Sequence, residues 1–292
     1  MRGTLKSNNK RIHTKRHKKH VKRNRVNKRR TFRKVLSGGN TSGATSKSDT
    51  SRILVFMSDN RKLESSLSKA EYNSVAAAIN YEYCKKHGYD FLFYRPYLNN
   101  KEETPLLNNK NPITNTLRHA AWSKLLSTEY ALNLGYDYIC YIDSDCIFKD
   151  FDQTIEDFIK PYSDKEVLFL NNKPWGDDLP CSGFYISKVT DRSKKFFKDW
   201  YNTNIPANDT ERLWEQPALH DVFRDHNYIG VIDSWMFEEK EKQFLRHVAS
   251  NDRTNTLPYF KNFLKTKGIN FEQNISEIKV IEFDTDKARV EG

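Results

Sequence analysis

The sequence predicts an α/β fold in which a mostly parallel central sheet is covered by helices on both faces. Short apolar runs alternate along the chain with longer segments whose apolar residues recur at helical spacing. This alternation is typical of parallel strands joined by helical crossovers. Hydrophobic residues make up 37% of the 292 residues, including 18 Phe and 15 Tyr, so the chain can bury a sizeable core.

Three strands and two helices are predicted in the first half of the folded part. Residues 53–57 (ILVFM) form an apolar run that ends in a turn sequence, which indicates a buried strand. A helix at about 68–87 follows, because Val75, Ile79 and Tyr83 recur at helical spacing and Gly88 stands where a helix commonly ends. The remaining elements are a strand at 91–94, a proline-containing loop at 95–113, a helix at 116–133 and a strand at 138–142.

The same alternation continues in the second half. The predicted elements are a helix near 152–160, strands at 167–171 and 182–186, helices near 190–202 and 213–224, and a strand at 228–232. In open α/β sheets, ligands bind beyond the carboxyl ends of the strands, so we expect the functional site there.

The net charge of +11 comes from the N-terminal segment. Residues 1–34 contain 16 Lys and Arg and no acidic residue, whereas residues 35–292 carry 33 basic and 38 acidic residues, a net charge of −5. We expect residues 1–51 to be a disordered basic tail with a Gly/Ser/Thr linker, because like charges repel and apolar residues are scarce. The tail could bind an anionic partner, either nucleic acid or a membrane surface. The mildly acidic remainder argues against a nucleic-acid-binding face on the domain itself.

Several other protein classes are disfavoured. The cysteines show neither a CxxC pair nor a zinc-ligand spacing, and they are too few for a disulfide scaffold, so we expect reduced core residues. No apolar stretch is long enough for a transmembrane segment, and the N-terminus has no signal-peptide core. We therefore expect a soluble, intracellular protein of the cytoplasm; the cytoplasm or nucleus of a host cell would also fit.

The strongest chemical signal is the sequence YICYIDSDCIF at 138–148. Alternation at the exit of a strand places Asp143 and Asp145 on the same side, where both could face one cation. Carboxylate oxygens suit Mn²⁺ or Mg²⁺, and such an ion can offset the charge of a departing diphosphate. The D-x-D pattern also occurs in ordinary turns and helix caps, because Asp favours both.

Five blocks in order resemble glycosyltransferase family 34, which includes fungal α-galactosyl- and α-mannosyltransferases and plant xyloglucan α-xylosyltransferases. The blocks read YCKKHGYD at 83–90, WSKL at 122–125, DSD at 143–145, SGF at 182–184 with Trp200, and EQPAL at 215–219. Their order and approximate spacing agree from about residue 53 to 255. The resemblance implies a GT-A fold, the nucleotide-diphospho-sugar transferase fold, over residues 52–292. It also implies an enzyme that moves a hexose or pentose from a nucleoside-diphosphate sugar, UDP-linked, to a hydroxyl group of a glycan or protein acceptor, with retention of the anomeric configuration.

The resemblance implies a metal site and its ligands. Asp143 and Asp145 would bind the metal together with His247, which stands in RHVAS where the family has H-x-x-G. Ser250 replaces the family's glycine, and Arg253 is the nearest counterpart of a family lysine that clamps phosphate. A lone histidine is equally consistent with a surface or packed imidazole.

Further residues receive roles by the same resemblance. Gln216 would lie beside the anomeric carbon, and Glu215 and Lys124 are the other candidate catalytic residues. Gln216 could equally be an ordinary polar residue in the first turn of a helix, and a lysine on a helix is usually solvated. Additional contacts to the donor are assigned to Ser144, Ser182 and Gly183.

Two tryptophans and two aspartates near these blocks could contact sugars. Trp175 and Trp214 could stack on sugar faces, although large aromatic residues more often belong to the core. Asp177 and Asp178 could accept hydrogen bonds from sugar hydroxyls.

Two alternatives stay open at this point. An inverting transferase would need a carboxylate to deprotonate the acceptor, and Asp177, Asp178 or Glu215 could serve. Alternatively, the chain could be a nucleic-acid-binding protein that acts through its basic tail and carries a degenerate transferase body.

Overall fold

A seven-stranded sheet forms the centre of the protein in this computed structural model. The structure describes residues 51–97, 109–174, 176–203, 209, 213–234, 236–248 and 253–285. These belong to one unit that spans Asp49–Gly292, while the predicted basic tail lies outside the described residues. The described strands, in chain order, are β1 (Ile53–Ser58), β2 (Asp90–Tyr97), β3 (Asn109–Lys110), β4 (Leu117–Arg118), β5 (Tyr138–Ile142), β6 (Cys146–Phe148), β7 (Val167–Asn172), β8 (Gly176–Lys188), β9 (Ile229–Ile232), β10 (Leu245–His247) and β11 (Lys279–Asp284).

The main sheet has the strand order β11-β2-β1-β5-β8-β7-β9. Strand β8 runs antiparallel to both of its neighbours, and the other neighbouring pairs are parallel. The carboxyl ends of β1, β5, β7 and β9 therefore meet at one edge of the sheet. The predicted α/β class with a largely parallel sheet is confirmed. Two small antiparallel pairs, β3–β4 and β6–β10, stand apart from the main sheet.

Helices cover both faces of the sheet. They are α1 (Tyr72–His87), α2 (Ser123–Leu132), α3 (Ile155–Ile159), α4 (Asp191–Tyr201), α5 (Glu215–Val222), α6 (Arg253–Thr266) and α7 (Phe271–Glu277). Strand β1 shows the division of the core: Val55 and Met57 belong to the apolar cluster beneath α1, α6 and α7, while Leu54 and Phe56 belong to the cluster beneath α2, α4 and α5. Successive strand residues point to opposite faces, which explains why this strand reads as a continuous apolar run.

Strand β5 has the predicted bounds, and most other predicted elements differ from the structure only at their ends. The helix predicted at 68–87 begins at Tyr72 and ends before Gly88, whose φ of 73° is the left-handed conformation that glycine adopts readily. The strand predicted at 182–186 belongs to the longer β8, which already begins at Gly176.

The predicted helix at 116–133 is wrong at its start. Leu117–Arg118 pairs with Asn109–Lys110 as a two-residue strand, a 3₁₀ turn follows at Ala120–Trp122, and α2 begins only at Ser123. The buried side chain of Arg118 holds this segment extended, because it bonds to distant groups that local helix propensity cannot anticipate. No helix or strand was predicted after residue 232, where the structure has β10, β11, α6 and α7.

The four cysteines are buried and unpaired, in agreement with the prediction of reduced core residues. Every helix in the described part of the chain is too short or too polar to cross a bilayer.

Candidate active site

The carboxyl end of β5 brings Asp143 to the middle of the sheet edge. Its backbone N–H donates to the carbonyl of Gly183 at 2.9 Å, which continues the pairing of β5 with β8. Its own carbonyl accepts from the N–H of Cys146 at 3.0 Å, so residues 143–146 form a turn that carries Asp145. Both aspartate side chains are 26% exposed at this edge of the sheet, and we call the space beside them, where the donor is proposed to bind, the cleft.

The β6–β10 ladder brings His247 beside Asp145. Cys146 faces His247 across the two strands, and the N–H of Val248 donates to the carbonyl of Asp145 at 2.9 Å. As a result, Nε2 of His247 lies 3.0 Å from Oδ1 of Asp145. The structure therefore brings together residues that are more than a hundred positions apart in the chain.

Helix α1 anchors the strand on which this arrangement depends. The Asn80 side chain is fully buried; its Nδ2 donates to the carbonyl of Cys146 at 3.0 Å, and its Oδ1 accepts from the N–H of Phe148 at 3.0 Å. These two bonds satisfy backbone groups of β6 that would otherwise be buried without a partner. Sequence reasoning did not single out Asn80, because a polar residue in a predicted helix carries no sign of its distant partner.

Gly183 lies between Asp143 and His247. A Cβ atom at this position would lie 2.8 Å from Cε1 of His247 and 3.1 Å from Oδ2 of Asp143. Any larger residue would push these side chains apart, so the close approach of His247 and Asp143 across β8 requires glycine.

Lys124 on α2 connects Asp143 to the carboxylate of Glu215. Its Nζ lies 2.7 Å from Oε1 of Glu215, 3.1 Å from Oδ1 of Asp143 and 3.3 Å from the carbonyl of Ser182. The Lys124 side chain is only 5% exposed, so it is not the solvated helix lysine that was the alternative interpretation. A buried ammonium group with two carboxylate partners stabilises both negative charges.

Glu215 and Gln216 occupy the first turn of α5 and face Ser182. Oγ of Ser182 lies 2.9 Å from Oε1 of Glu215 and 3.2 Å from Oε1 of Gln216, and the N–H of Ser182 donates to the same Gln216 oxygen at 3.2 Å. The indole N–H of Trp200 donates to the carbonyl of Glu215 at 2.8 Å. Oε2 of Glu215 is buried without a hydrogen-bond partner among the described residues.

The turn before α5 is strained. Leu213 and Trp214 have φ values of 78° and 42°, which bulky residues rarely adopt and which cost on the order of 1–3 kcal/mol each. The Trp214 ring stacks on His119, with centroids 3.8 Å apart and planes 5° apart. One face of the indole that was a candidate for sugar stacking is therefore occupied by a protein side chain.

Burial and charged neighbours set the pKa values of the two aspartates and of His247. Burial raises the pKa of Asp143; Lys124 offsets part of this effect, and Asp145 adds to it. Burial alone would also raise the pKa of Asp145, but the adjacent His247 lowers it below its usual value. Burial would lower the pKa of His247, and Cys146 and Asp145 together raise it well above its usual value. Two carboxylates in one poorly solvated place repel each other unless a positive group stands between or beside them.

The donor atoms around this turn fit a divalent metal ion. Ligand atoms of Asp145, Cys146 and His247 lie within 4.8 Å of one another, and Asp143 is adjacent across Gly183. Burial raises the pKa of the Cys146 thiol, so Cys146 is a neutral and poor ligand. Two carboxylates and one imidazole remain, a donor set that suits Mn²⁺.

A guanidinium group that the sequence did not flag lies next to the D-x-D turn. At the end of β1, Nη2 of Arg61 lies 2.6 Å from Oδ2 of Asp59 and 3.4 Å from Oγ of Ser144. In the sequence, Asp59 lies in the turn that follows the predicted strand at 53–57. The sequence could have indicated Asp59 as a site residue, because it follows a predicted buried strand and the carboxyl ends of parallel strands meet at one edge of the sheet.

The remaining predicted residues lie outside this cluster or outside the described side chains. Asp178 is exposed on β8, in the same strand as Gly183 but before it. The side chains of Arg253, Asp177 and Trp175 are not among those that the structure describes, although Arg253 begins α6.

A protein-family model and several solved structures are similar to this chain. The family model for nucleotide-diphospho-sugar transferases matches residues 78–260. Among solved structures, a glycosyltransferase involved in glycosylation of the major capsid of PBCV-1 superimposes with a TM-score of 0.54 at 16% identity, covering 72% of this chain and 99% of that chain. Two other similar structures have lower scores. The catalytic domain of Drosophila β1,4-galactosyltransferase 7 in complex with xylobiose has a TM-score of 0.40 at 14% identity, covering 70% of this chain and 73% of that chain. Mouse xyloside xylosyltransferase 1 in its apo form has a TM-score of 0.41 at 7% identity, covering 69% of this chain and 98% of that chain.

No curated protein sequence matches the chain significantly. The family match nevertheless covers well over half of the chain and includes the D-x-D turn, Gly183, Glu215 and His247. The fold of the PBCV-1 glycosyltransferase is shared across nearly its whole length. The chain therefore belongs to the nucleotide-diphospho-sugar transferase family and is a glycosyltransferase.

Proposed function

We propose that this enzyme transfers a hexose or pentose from a UDP-linked sugar to a hydroxyl group of a glycan or protein, in a metal-dependent reaction that retains the anomeric configuration. The observation that carries the proposal is the convergence of Asp143, Asp145 and His247 around Gly183 at the carboxyl end of β5. In sheets of this kind the ligand binds at that edge. The resemblance to glycosyltransferase family 34 supports the finer assignment of retention and of a pentose or hexose donor.

Asp143, Asp145 and His247 would hold Mn²⁺ or Mg²⁺. A metal ion bound there would act as a Lewis acid that offsets the charge of the departing nucleoside diphosphate. Both aspartate side chains are 26% exposed, which leaves them accessible to an ion, and His247 would release its proton on binding it. Ser144, between the aspartates and near Arg61, would contact the nucleotide.

Gln216 would orient the donor sugar through its amide. Because the N–H of Ser182 donates to Oε1 of Gln216, that oxygen is directed to β8, and Nε2 would be the atom that donates to the sugar. A neutral amide in this position favours retention, since an inverting enzyme needs a carboxylate that can take the acceptor's proton. Glu215 is poorly suited to that task, because its side chain is 4% exposed and is bonded to Lys124.

Lys124 would set the charge of the site. It neutralises Glu215 and part of Asp143, and its contact with the carbonyl of Ser182 fixes α2 against the strand that carries Gly183. With Lys124 in place, the cleft presents enough negative charge for one divalent cation without the full repulsion of three carboxylates.

The proposal also includes a domain assignment and a role for the N-terminal tail. We assign the catalytic domain to residues 52–292, and we assign residues 1–51 to a basic tail and linker that would bind an anionic partner.

The test is a panel of nucleotide sugars with Mn²⁺, scored for donor binding and for hydrolysis, followed by determination of the product anomer. Asp143→Asn and Asp145→Asn should each abolish metal and donor binding while circular dichroism remains unchanged. Asp164→Asn is the matched control, because that carboxylate is 72% exposed and pairs with its neighbour Lys165 at the opposite end of β7. If both variants at the D-x-D turn bind the donor as tightly as the wild type does, the proposal is wrong.

A further inference from the structure

A polar cavity opens at the same edge of the sheet as Asp143 and is separate from the candidate active site. Its volume is about 370 Å³, within the range of roughly 300–1,000 Å³ that is typical of small-molecule sites. It is lined by Lys173, Asp178, Val231 and Asp233. Lys173 follows the carboxyl end of β7 and Asp233 follows that of β9. Because β7 and β9 run parallel to β5 in the sheet, the cavity lies to one side of the candidate active site and faces the same way.

The polar groups of this cavity are held in place by a buried amide. Nδ2 of Asn171 donates to Oδ1 of Asp233 at 2.8 Å, and Oδ1 of Asn171 accepts from the N–H of Ser234 at 3.1 Å. Asn171 is 1% exposed, whereas the Asp233 side chain is 69% exposed. Nζ of Lys173 lies 2.7 Å from the same Asp233 oxygen. The cavity therefore presents an ammonium group and a carboxylate in fixed positions toward solvent.

The charges of the cavity favour a neutral, hydroxyl-rich ligand. Lys173 and Asp233 cancel each other, and the exposed Asp178 has no ion-pair partner among the described residues. The remaining negative charge disfavours anionic ligands. Carboxylates and an ammonium group supply acceptors and donors for hydroxyls, and Val231 adds an apolar surface for the C–H face of a sugar ring.

Strand β8 links the cavity to the residues around the reacting atoms. Asp178 precedes Gly183 on this strand, and a fully extended strand with a rise of about 3.3 Å per residue would separate them by about 16 Å at most. The stretch of β8 between Asp178 and Gly183 contacts α5, the helix that carries Gln216. The carbonyl of Pro180 lies 2.9 Å from Nε2 of His220 on this helix. A ligand that occupies the cavity and also reaches Gln216 would follow β8 between them, as an extended oligosaccharide can.

We propose that the cavity formed by Lys173, Asp178, Val231 and Asp233 is an acceptor subsite, which binds a neutral sugar residue of an oligosaccharide at a distance from the hydroxyl that receives the transferred sugar. This inference rests on the proposed transferase function and specifies the class of its acceptor. The acceptor is an extended neutral glycan, and Asp178 and Lys173 bind hydroxyls of a ring that does not react.

The test compares neutral linear mono- to tetrasaccharides, and uronic-acid oligosaccharides of the same lengths, as probes with UDP and Mn²⁺ present. Binding is measured first on an array of these glycans, which requires no catalytic turnover. KM is then measured for the glycans that act as acceptors. We expect Asp178→Asn and Lys173→Met to weaken binding and raise KM about tenfold for the neutral tetrasaccharides, with a much smaller effect on monosaccharides. Asp164→Asn, far from the cavity, is the control.

The outcomes separate this inference from the proposed function. If the wild type hydrolyses no nucleotide sugar, the proposed function fails, and the array alone then decides the subsite. If the wild type binds no neutral oligosaccharide, prefers the uronic-acid series, or is matched by both variants on tetrasaccharides, the subsite is overturned even where donor hydrolysis is intact.

Discussion

Nζ of Lys124 lies 2.7 Å from Oε1 of Glu215, and both side chains are at most 5% exposed. This ion pair joins α2 to α5 beneath the cleft, and through Asp143 it also reaches the end of β5. A buried pair of this kind is weak evidence for stability in itself, but removing one partner leaves an uncompensated charge. The pair therefore couples the position of Glu215 and Gln216 to the charge of the proposed metal site.

Lys124→Met is expected to destabilise the fold by about 3–5 kcal/mol, because Glu215 and Asp143 lose their shared cation. The double variant Lys124→Met/Glu215→Gln should recover part of that loss, since the glutamine carries no charge and can still accept from Ser182. Urea denaturation followed by tryptophan fluorescence measures both values. A double variant no more stable than Lys124→Met would show that the pair is not the dominant interaction.

His247→Ala is expected to raise the Mn²⁺ concentration for half-maximal donor hydrolysis at least tenfold, which corresponds to about 1.4 kcal/mol. The reason is the loss of the proposed nitrogen ligand next to Asp145. His226→Ala is the control, because this imidazole packs against Phe196 and Tyr228 away from the cleft. Metal titrations that coincide for the wild type and His247→Ala would remove His247 from the site.

Gly183→Ala is expected to reduce metal affinity, because its methyl group would lie 2.8 Å from the His247 ring and 3.1 Å from the Asp143 carboxylate. Gly230→Ala is a matched control: its methyl group would lie 2.7 Å from Leu168 and 3.0 Å from Lys165, side chains remote from the site. Both variants should lose stability by about 1–3 kcal/mol from overpacking. Isothermal titration with Mn²⁺ and UDP should show a large loss for Gly183→Ala alone, and equal affinities for both variants would contradict this assignment.

Arg118→Met is expected to destabilise the protein by about 3–5 kcal/mol. Arg118 is fully buried; it bonds to Asp209 at 2.8 Å and to the carbonyl of Tyr201 at 2.6 Å, and it stacks on Trp122 at 3.7 Å. Removing it leaves the Asp209 carboxylate buried with only Asn111 as a side-chain partner among the described residues. Thermal unfolding measures the effect.

Arg192→Met provides the comparison for that experiment. The Arg192 side chain is 66% exposed, and its partner Glu166, which is 10% exposed, also accepts a hydrogen bond from Oγ1 of Thr190, so the loss of Arg192 should cost less than the loss of Arg118. Equal losses for the two arginine variants would show that burial does not decide the contribution of the Arg118 pair.

Much of the fold follows from local patterns in the chain. The apolar run of β5 and the D-x-D that follows it are adjacent in sequence, so strand, turn and carboxylates are visible together. The order of strands and helices identifies a parallel sheet, whose carboxyl edge is the ordinary place for a ligand. The predicted fold class and the broader nucleotide-diphospho-sugar transferase family are borne out by the family match and the shared fold, whereas membership of glycosyltransferase family 34 stays a prediction.

Other features depend on contacts between distant residues and carry no local signal. Arg118 interrupts a segment of good helix propensity because its guanidinium is satisfied only by Asp209 and the end of α4. The cavity beside Asp178 exists only because β7, β8 and β9 lie side by side.

The sequence by itself determined which residues can form strands, which carboxylates stand at a strand end, and which chemistry those carboxylates suit. Only the tertiary structure decided that Lys124 is a buried partner of Glu215, that Gly183 is the point where His247 and Asp143 converge, and that the sheet edge continues into a second polar cavity. The physical reason is that period and propensity act over a few residues, whereas burial and charge pairing are set by whichever chain segments the fold places a few ångströms apart.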